Sequence, residues 1–522
     1  MASGRSSATP RLALAAVCAV LFLTFLDNTI VSVALADMQT SLRSGVSSLQ
    51  WIVDGYMLAF AGLMLTGGTL GDLFGRKKLL LGGVAVFCAG SLVGALAQDS
   101  HTLIAGRVVM GVGAAACEPG TLSLIRQIYP DHRERARALG VWVAVSGISL
   151  AVGPVLGGVL VGFAGWRGIF WFNLAFGLLA LAAAARTLDE SADPEGRSLD
   201  IPGLLAGTAA VTAVTFAVIE GENAGFRTWC IELLFATAVA ASMAFVLIVK
   251  RSADPVLRLE FFRLPTFSSA TAVAFATSFG LFAVFFFTSL YLQIVANFSG
   301  WKIALQFVAM AVAMVVAGRV GGIWTGKRGP RLPMALGCLL AGGGMFVVNA
   351  LLDPHVEVAP LAGGLAVIGF GLGLALVAVT ASVLSIVPPE RSGMAASTIN
   401  TSRQLGGVLA VAILGAVVNN RLVGELTSKL TDLGVPSIFQ SLVLNAVTHG
   451  GLPANAAAAE ASNPVAAANP GLLGKVLDSA VAAFGHGLHV ALILAASILL
   501  AGAAVSLVAS KGLHKGEAAA SG

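Results

Sequence analysis

Asp27 interrupts the first apolar run of the chain, within Leu26-Asp27-Asn28-Thr29-Ile30-Val31-Ser32-Val33-Ala34-Leu35. Arg107 and Glu118 share a later apolar run, Asp54 opens another, and Arg403 lies in one near the C-terminal end. A carboxylate or guanidinium among hydrocarbon is costly unless it faces a cavity or a partner, so such residues mark ion or substrate paths by default. A carboxyl balanced between burial and a nearby cation can take a proton from one side and release it on the other. The competing reading of Asp27 is structural, satisfied by neighbouring polar groups or an arginine.

At about 1.5 Å of rise per residue, Asp27 and Arg107 fall at similar depth in the outer half of a membrane. An Arg107–Asp27 pair is therefore an expectation, either one that holds Asp27 ionised until substrate or a conformational change separates the two or, equally, a purely structural ion pair. Glu118, followed by Pro119, lies nearer the cytoplasmic side. Pro119 frees a backbone carbonyl, and Glu118 is a candidate for cation recognition or a second proton site. Asp54 is close enough to the interface to be solvated and ranks below Asp27. Arg403 can attract an anionic group, balance a carboxylate, or bond to facing carbonyls.

The elements that hold these residues follow from composition. Of 522 residues, 57% are hydrophobic and only 11% charged. Soluble proteins carry about 25% charge, so the chain is an integral membrane protein. Spans are expected near 12–36, 50–70, 78–97, 102–124, 138–162, 166–186, 201–219, 230–249, 267–294, 302–324, 333–352, 360–386, 394–420 and 483–509, fourteen in all. With the N-terminus inside, 21 of the 31 Lys and Arg fall on the cytoplasmic side, which predicts that both termini are cytoplasmic. The first run is too long for a cleaved signal peptide. The segment 421–482 reads as an external insertion, with short surface helices over Pro436–His449 and Leu472–Phe484.

Between the second and third spans stands Gly68-Thr69-Leu70-Gly71-Asp72-Leu73-Phe74-Gly75-Arg76-Lys77-Lys78. Its glycines let helix ends and a tight turn approach closely. The order Gly68, Asp72, Gly75, Arg76, Lys77 resembles the signature between helices 2 and 3 of the major facilitator superfamily, with Leu73 as its departure. The decapeptide around Asp27 resembles the helix 1 signature of the fourteen-helix drug:proton antiporters, with Ala36 in place of Pro. Leu103–Arg107 and Gly111–Ala115 resemble the helix 4 motif, with Met110 in place of Gln. Gly140, Gly153, Pro154, Gly157 and Gly158 match the spacing of the exporters' antiporter motif, with Ser149 in place of one glycine, and Asn400–Gly407 resembles a pattern of the fourteen-helix branch.

The resemblance implies an all-α integral membrane protein with the major facilitator fold. It comprises a tail 1–11, a six-helix bundle 12–186, a linker 187–200, two inserted helices 201–249, a linker 250–266, a second six-helix bundle 267–509 and a tail 510–522. Gly318–Arg331 echoes the glycine-then-basic turn of Gly68–Lys78. The implied activity is export of amphipathic, cationic, drug-like compounds across the cell membrane by alternating access, in exchange for protons. The partners are then substrate, protons and the lipid bilayer. Asp72 and Arg76 would latch the outward-facing state, and Arg107 would relay protons. An exporter dedicated to one metabolite, antibiotic or lipid is the alternative.

Other classes fit poorly. No basic stripe interleaved with aromatics supports nucleic-acid binding. Gly321–Arg328 lacks the Ser or Thr of a phosphate loop, and Gly369–Gly373 lies within an apolar span. The five cysteines lack metal or disulfide spacing. His486 and His489 lack a third ligand, so neither an enzyme nor a metal site is expected, and no cofactor beyond a proton gradient is needed. No obligate protein partner is evident. The stripe Phe275, Phe279, Phe282, Phe285, Phe286 and Phe287 reads as lipid-facing or core, with part of it available to line a pocket.

Overall fold

The computed structural model describes residues 10–43, 46–191, 200–252, 254–296, 298, 300–353, 357–432, 440 and 472–509. Most of the tails, most of the 187–200 linker and all but Gln440 of the Pro436–His449 helix expected from sequence lie outside the described residues. Described elements are helical: α1 (Pro10–Ile30), α2 (Leu35–Leu42), α3 (Val46–Phe74), α4 (Arg76–Leu96), α5 (Ser100–Ile128), α6 (His132–Ala164), α7 (Arg167–Thr187) and α8 (Ile201–Ala224). They continue as α9 (Trp229–Arg251), α10 (Pro265–Ala283), α11 (Ser289–Ile294), α12 (Gly300–Arg328), α13 (Arg331–Leu351), α14 (Val358–Ile386), α15 (Ser392–Asp432) and the last helix, α16 (Leu472–Ala509). Thirteen described helices are long and apolar enough to cross a membrane. The 33-residue α6, which is not among those thirteen, lies between the fourth and the fifth of them.

Acidic residues in the connections act as caps. Asp99 accepts from the Thr102 amide at the start of α5, and Asp131 accepts from the Arg133 and Glu134 amides at the start of α6. These bonds favour the charged form and hold both carboxyls below the usual range. Asp37 accepts from the Trp166 amide, where Gly165 turns α6 into α7 with φ of 65°.

Two predicted spans are interrupted. The first passes through a 3₁₀ turn, Val31–Ala34, just after the β-branched pair Thr29 and Ile30. The ninth passes through a π turn at Val284–Thr288. Helix also reaches further into the 421–482 segment than expected from sequence. α15 runs on to Asp432, and Leu472–Phe484 forms the first turns of α16 and not a separate surface helix. Leu422, Leu426 and Leu430 stay buried at helical spacing, and Val476, Ala480 and Ala483 are buried on α16, so the apolar faces of the two helices continue past the predicted span limits. His486 Nδ1 meets Glu425 Oε2 at 2.9 Å across the same pair, and His489 Nδ1 meets Asn349 Oδ1 at 2.9 Å.

Helices α1, α3–α5 and α7 pack mainly on one another, as do α10 and α13–α16, while α6 of the first set and α12 of the second also pack extensively on each other. α8 bridges α3 and α15, while α9 packs on α8 and presents Trp229, Leu233, Val239 and Met243 outward. The most extensive contact between the two sets is α6 on α12. Lipid is as apolar as leucine, so such contacts depend on close van der Waals fit. A Cβ on Gly140 would strike the Gly318 carbonyl oxygen, and one on Gly318 the Gly140 carbonyl. Gly153 and Gly157 do the same against Thr29 and Ile30 of α1, but a Cβ on Gly158 would meet only Val33 Cγ1 at 4.0 Å, an ordinary contact, so the close-packed face expected from sequence stops short of it.

Overpacking a tight contact costs about 1–3 kcal/mol. Gly140→Ala is therefore expected to lower the thermal unfolding midpoint of the detergent-purified protein. Gly158→Ala should leave that midpoint unchanged. Equal effects would refute the packing account.

Candidate functional site

Asp27 is fully buried near the end of α1. Its Oδ2 accepts from Arg107 Nη1 of α5 at 2.5 Å, and its Oδ1 accepts from Asn173 Nδ2 of α7 at 2.8 Å. Arg107 donates through Nε to the Ile52 carbonyl of α3 at 2.9 Å. Its guanidinium carbon stands 4.4 Å from the centre of the Tyr56 ring. Tyr56 in turn donates to the Thr24 carbonyl of α1 at 3.4 Å. Four helices thus converge on one ion pair. Small residues make room for it: a Cβ on Gly111 would collide with the backbone of Tyr56.

Asn173 and Tyr56 were not anticipated from the sequence. Both are neutral, and a search for charges inside apolar runs passes over them. Asn173 had one signal, a lone amide within Phe170-Trp171-Phe172-Asn173-Leu174. Asp54 is half-buried on α3.

A second polar group sits where the two helix sets meet. Glu118 of α5 and Arg403 of α15 are both buried and act on each other electrostatically, without a direct ion pair among the described residues. Arg403 donates to Asn400 Oδ1 at 3.1 Å and to Thr380 Oγ1 of α14 at 2.8 Å. The Phe275 and Phe282 side of α10 packs on Gly406 and Gly407 of α15, Phe279 and Phe287 are buried, and Phe286 is exposed.

At the basic end of the bundle, Asp72 accepts from Arg76 through Nε at 3.0 Å and Nη2 at 2.8 Å. The same carboxylate accepts from the Gly393 and Met394 amides, both at 2.9 Å, capping the first turn of α15 in the other helix set. Gly68 is needed there because a Cβ would strike the Gly393 carbonyl; Gly71 has room. Gly75 adopts φ of 110°, open to glycine and strained for other residues. Lys77 donates through Nζ to the carbonyls of Ala185 and Leu188, and Glu190 accepts from the Lys77 and Lys78 amides, both at 3.1 Å. Pro154 lies within the continuous α6. Gly321–Arg328 is continuous helix, and Gly369, Gly371 and Gly373 pack against Met310, Gly337 and Met314.

The chain belongs to the major facilitator superfamily, whose family model matches residues 17–411. It is 34% identical over 425 residues to the multidrug resistance protein Stp of Mycobacterium tuberculosis, covering 81% of this chain and 78% of that one. It is 30% identical over 497 residues to the tetracenomycin C resistance and export protein of Streptomyces glaucescens, covering 93% and 89%. It is also 34% identical over 398 residues to the methylenomycin A resistance protein of Bacillus subtilis, covering 76% and 84%. The fold is similar to that of the human organic anion transporter MFSD10, with a TM-score of 0.61 at 13% identity, covering 94% of this chain and 99% of that chain. Family, fold and helix lengths together define a multi-pass membrane transporter, not an enzyme.

Removing one member of a buried pair costs about 3–5 kcal/mol, because the other charge is left uncompensated. Arg107→Met is expected to destabilise the purified protein by that order, and more than Asn173→Ala. Adding Asp27→Asn to Arg107→Met should restore part of the loss. Thermal unfolding of the variants checks this; a double variant weaker than Arg107→Met alone would contradict the pairing.

Proposed function

We propose that this transporter exports amphipathic, cation-bearing, drug-like compounds in exchange for protons. The observation that carries the reading is the buried Asp27–Arg107 pair. A carboxylate held by one guanidinium and one amide can be neutralised by a single proton, after which Arg107 loses its counter-charge. Two bundles, 12–186 and 267–509, would rock about the interface where Glu118 and Arg403 meet, with 201–249 inserted between them. The relatives named for drug and antibiotic resistance support the outward direction.

By the asymmetry of Lys and Arg, the end carrying Asp72 is cytoplasmic. The Asp72 cap on α15 and the Gly140–Gly318 contact then favour a state closed to the cytoplasm. In the cycle we propose, protonation of Asp27 from outside accompanies substrate release, and deprotonation inside restores the acceptor. The relative named for tetracenomycin C export favours a second reading, an exporter dedicated to one compound.

Everted vesicles with an imposed pH gradient test the reading with a fluorescent lipophilic cation. The wild type is expected to accumulate the dye and Asp27→Asn to fall to background. Equal accumulation by both would remove Asp27 from the coupling. A wild type that responds to no cation would favour the dedicated exporter.

A further inference from the structure

Glu118 and Arg403 are a carboxylate and a guanidinium contributed by opposite helix sets. Each is more than nine-tenths buried, and neither is paired with the other. Glu118 Oε2 and Arg403 Nε have no hydrogen-bond partner among the described residues. Both belong to one continuous arrangement. Thr121, one turn beyond Glu118, accepts from Trp142 Nε1 at 3.1 Å, and the Arg403 guanidinium lies 5.5 Å from the centre of the Trp142 ring. Thr380 and Asn400 hold the two terminal nitrogens of Arg403.

A buried charge left without a direct partner is costly, and an unmade hydrogen bond adds to that cost. Two opposite charges that do not close on each other are each open to an external partner. A purely cationic ligand would pair with Glu118 but be repelled by Arg403. A purely anionic ligand would meet the reverse problem. One class of ligand satisfies both charges.

We propose that Glu118 and Arg403, with Trp142 between them, form a split receptor for amphoteric substrates. The basic nitrogen of such a compound pairs with Glu118, and its carboxylate or phenolate oxygen takes the unpartnered Nε edge of Arg403. Arginine suits this role because its planar fork presents several donors to an oxygen anion. The proposal rests on the export reading and narrows its substrate class from cation-bearing to amphoteric. It also gives Arg403, on α15, a role that Asp27 chemistry does not require.

The test uses the full-length protein in detergent and two matched dyes: rhodamine B, which carries a free carboxylate beside its cation, and its ethyl ester, which keeps only the cation. Fluorescence polarisation is expected to show rhodamine B binding the wild type about tenfold more tightly than the ester, as one charge-assisted bond implies. Arg403→Gln should erase that preference, weakening rhodamine B and, with the repelling charge gone, tightening the ester. Glu118→Gln should weaken both dyes alike. A wild type that binds rhodamine B no more tightly than the ester, or binds neither, overturns the proposal without any variant needing to fold. Equal dye affinities with intact pH-driven uptake would sink the split receptor alone. A preserved preference in a protein that shows no pH-driven uptake would sink proton coupling alone.

Discussion

The structure depends on a carboxylate and a guanidinium placed together where neither can reach water. Taking each ion out of water costs several kcal/mol, on the order of what a whole domain has to spare. Asp27 and Arg107 offset that cost only together, and only with Asn173, the Ile52 carbonyl and the Tyr56 ring in position. Four helices are therefore tied to one point. A change in the charge of that point acts on all four at once, which is the property a coupling site needs.

Around this point the helices are fitted by small residues. Gly153 and Gly157 seat the chain just after Asp27, where α1 gives way to the 3₁₀ turn. Gly140 and Gly318 bring the two helix sets into backbone contact. At the basic end, Asp72 bonds at once to its own half through Arg76 and to the other through the first turn of α15. A bond of this kind is local to a helix end and can break without disturbing either core. The proposed cycle therefore needs no more than rearranged contacts between two otherwise stable sets of helices.

Much of this was legible in the chain. Charges within apolar runs stand out because hydrocarbon penalises them, so Asp27, Arg107, Glu118 and Arg403 were found by type alone. The glycines of the Gly68–Lys78 turn and of the Gly140–Gly158 helix were found by spacing, although Gly71 and Gly158 proved to have room for a side chain. What escaped were neutral partners such as Asn173 and Tyr56, whose value lies in the residue they touch. The extent of α15 and α16 escaped too. Helices that pack on each other outlast their membrane-length apolar runs, and hydropathy does not register the contact.

The central claim is that the charge on Asp27 governs closure of the end held by Asp72. Spin labels placed at the exposed positions Arg133 and Lys327, on α6 and α12 at that end, would report it by pulsed electron–electron distance measurement. The account predicts a short distance in the otherwise wild-type protein and a shift of population to a longer one in Asp27→Asn, which mimics the protonated acid. An identical distance distribution in the two proteins would contradict it.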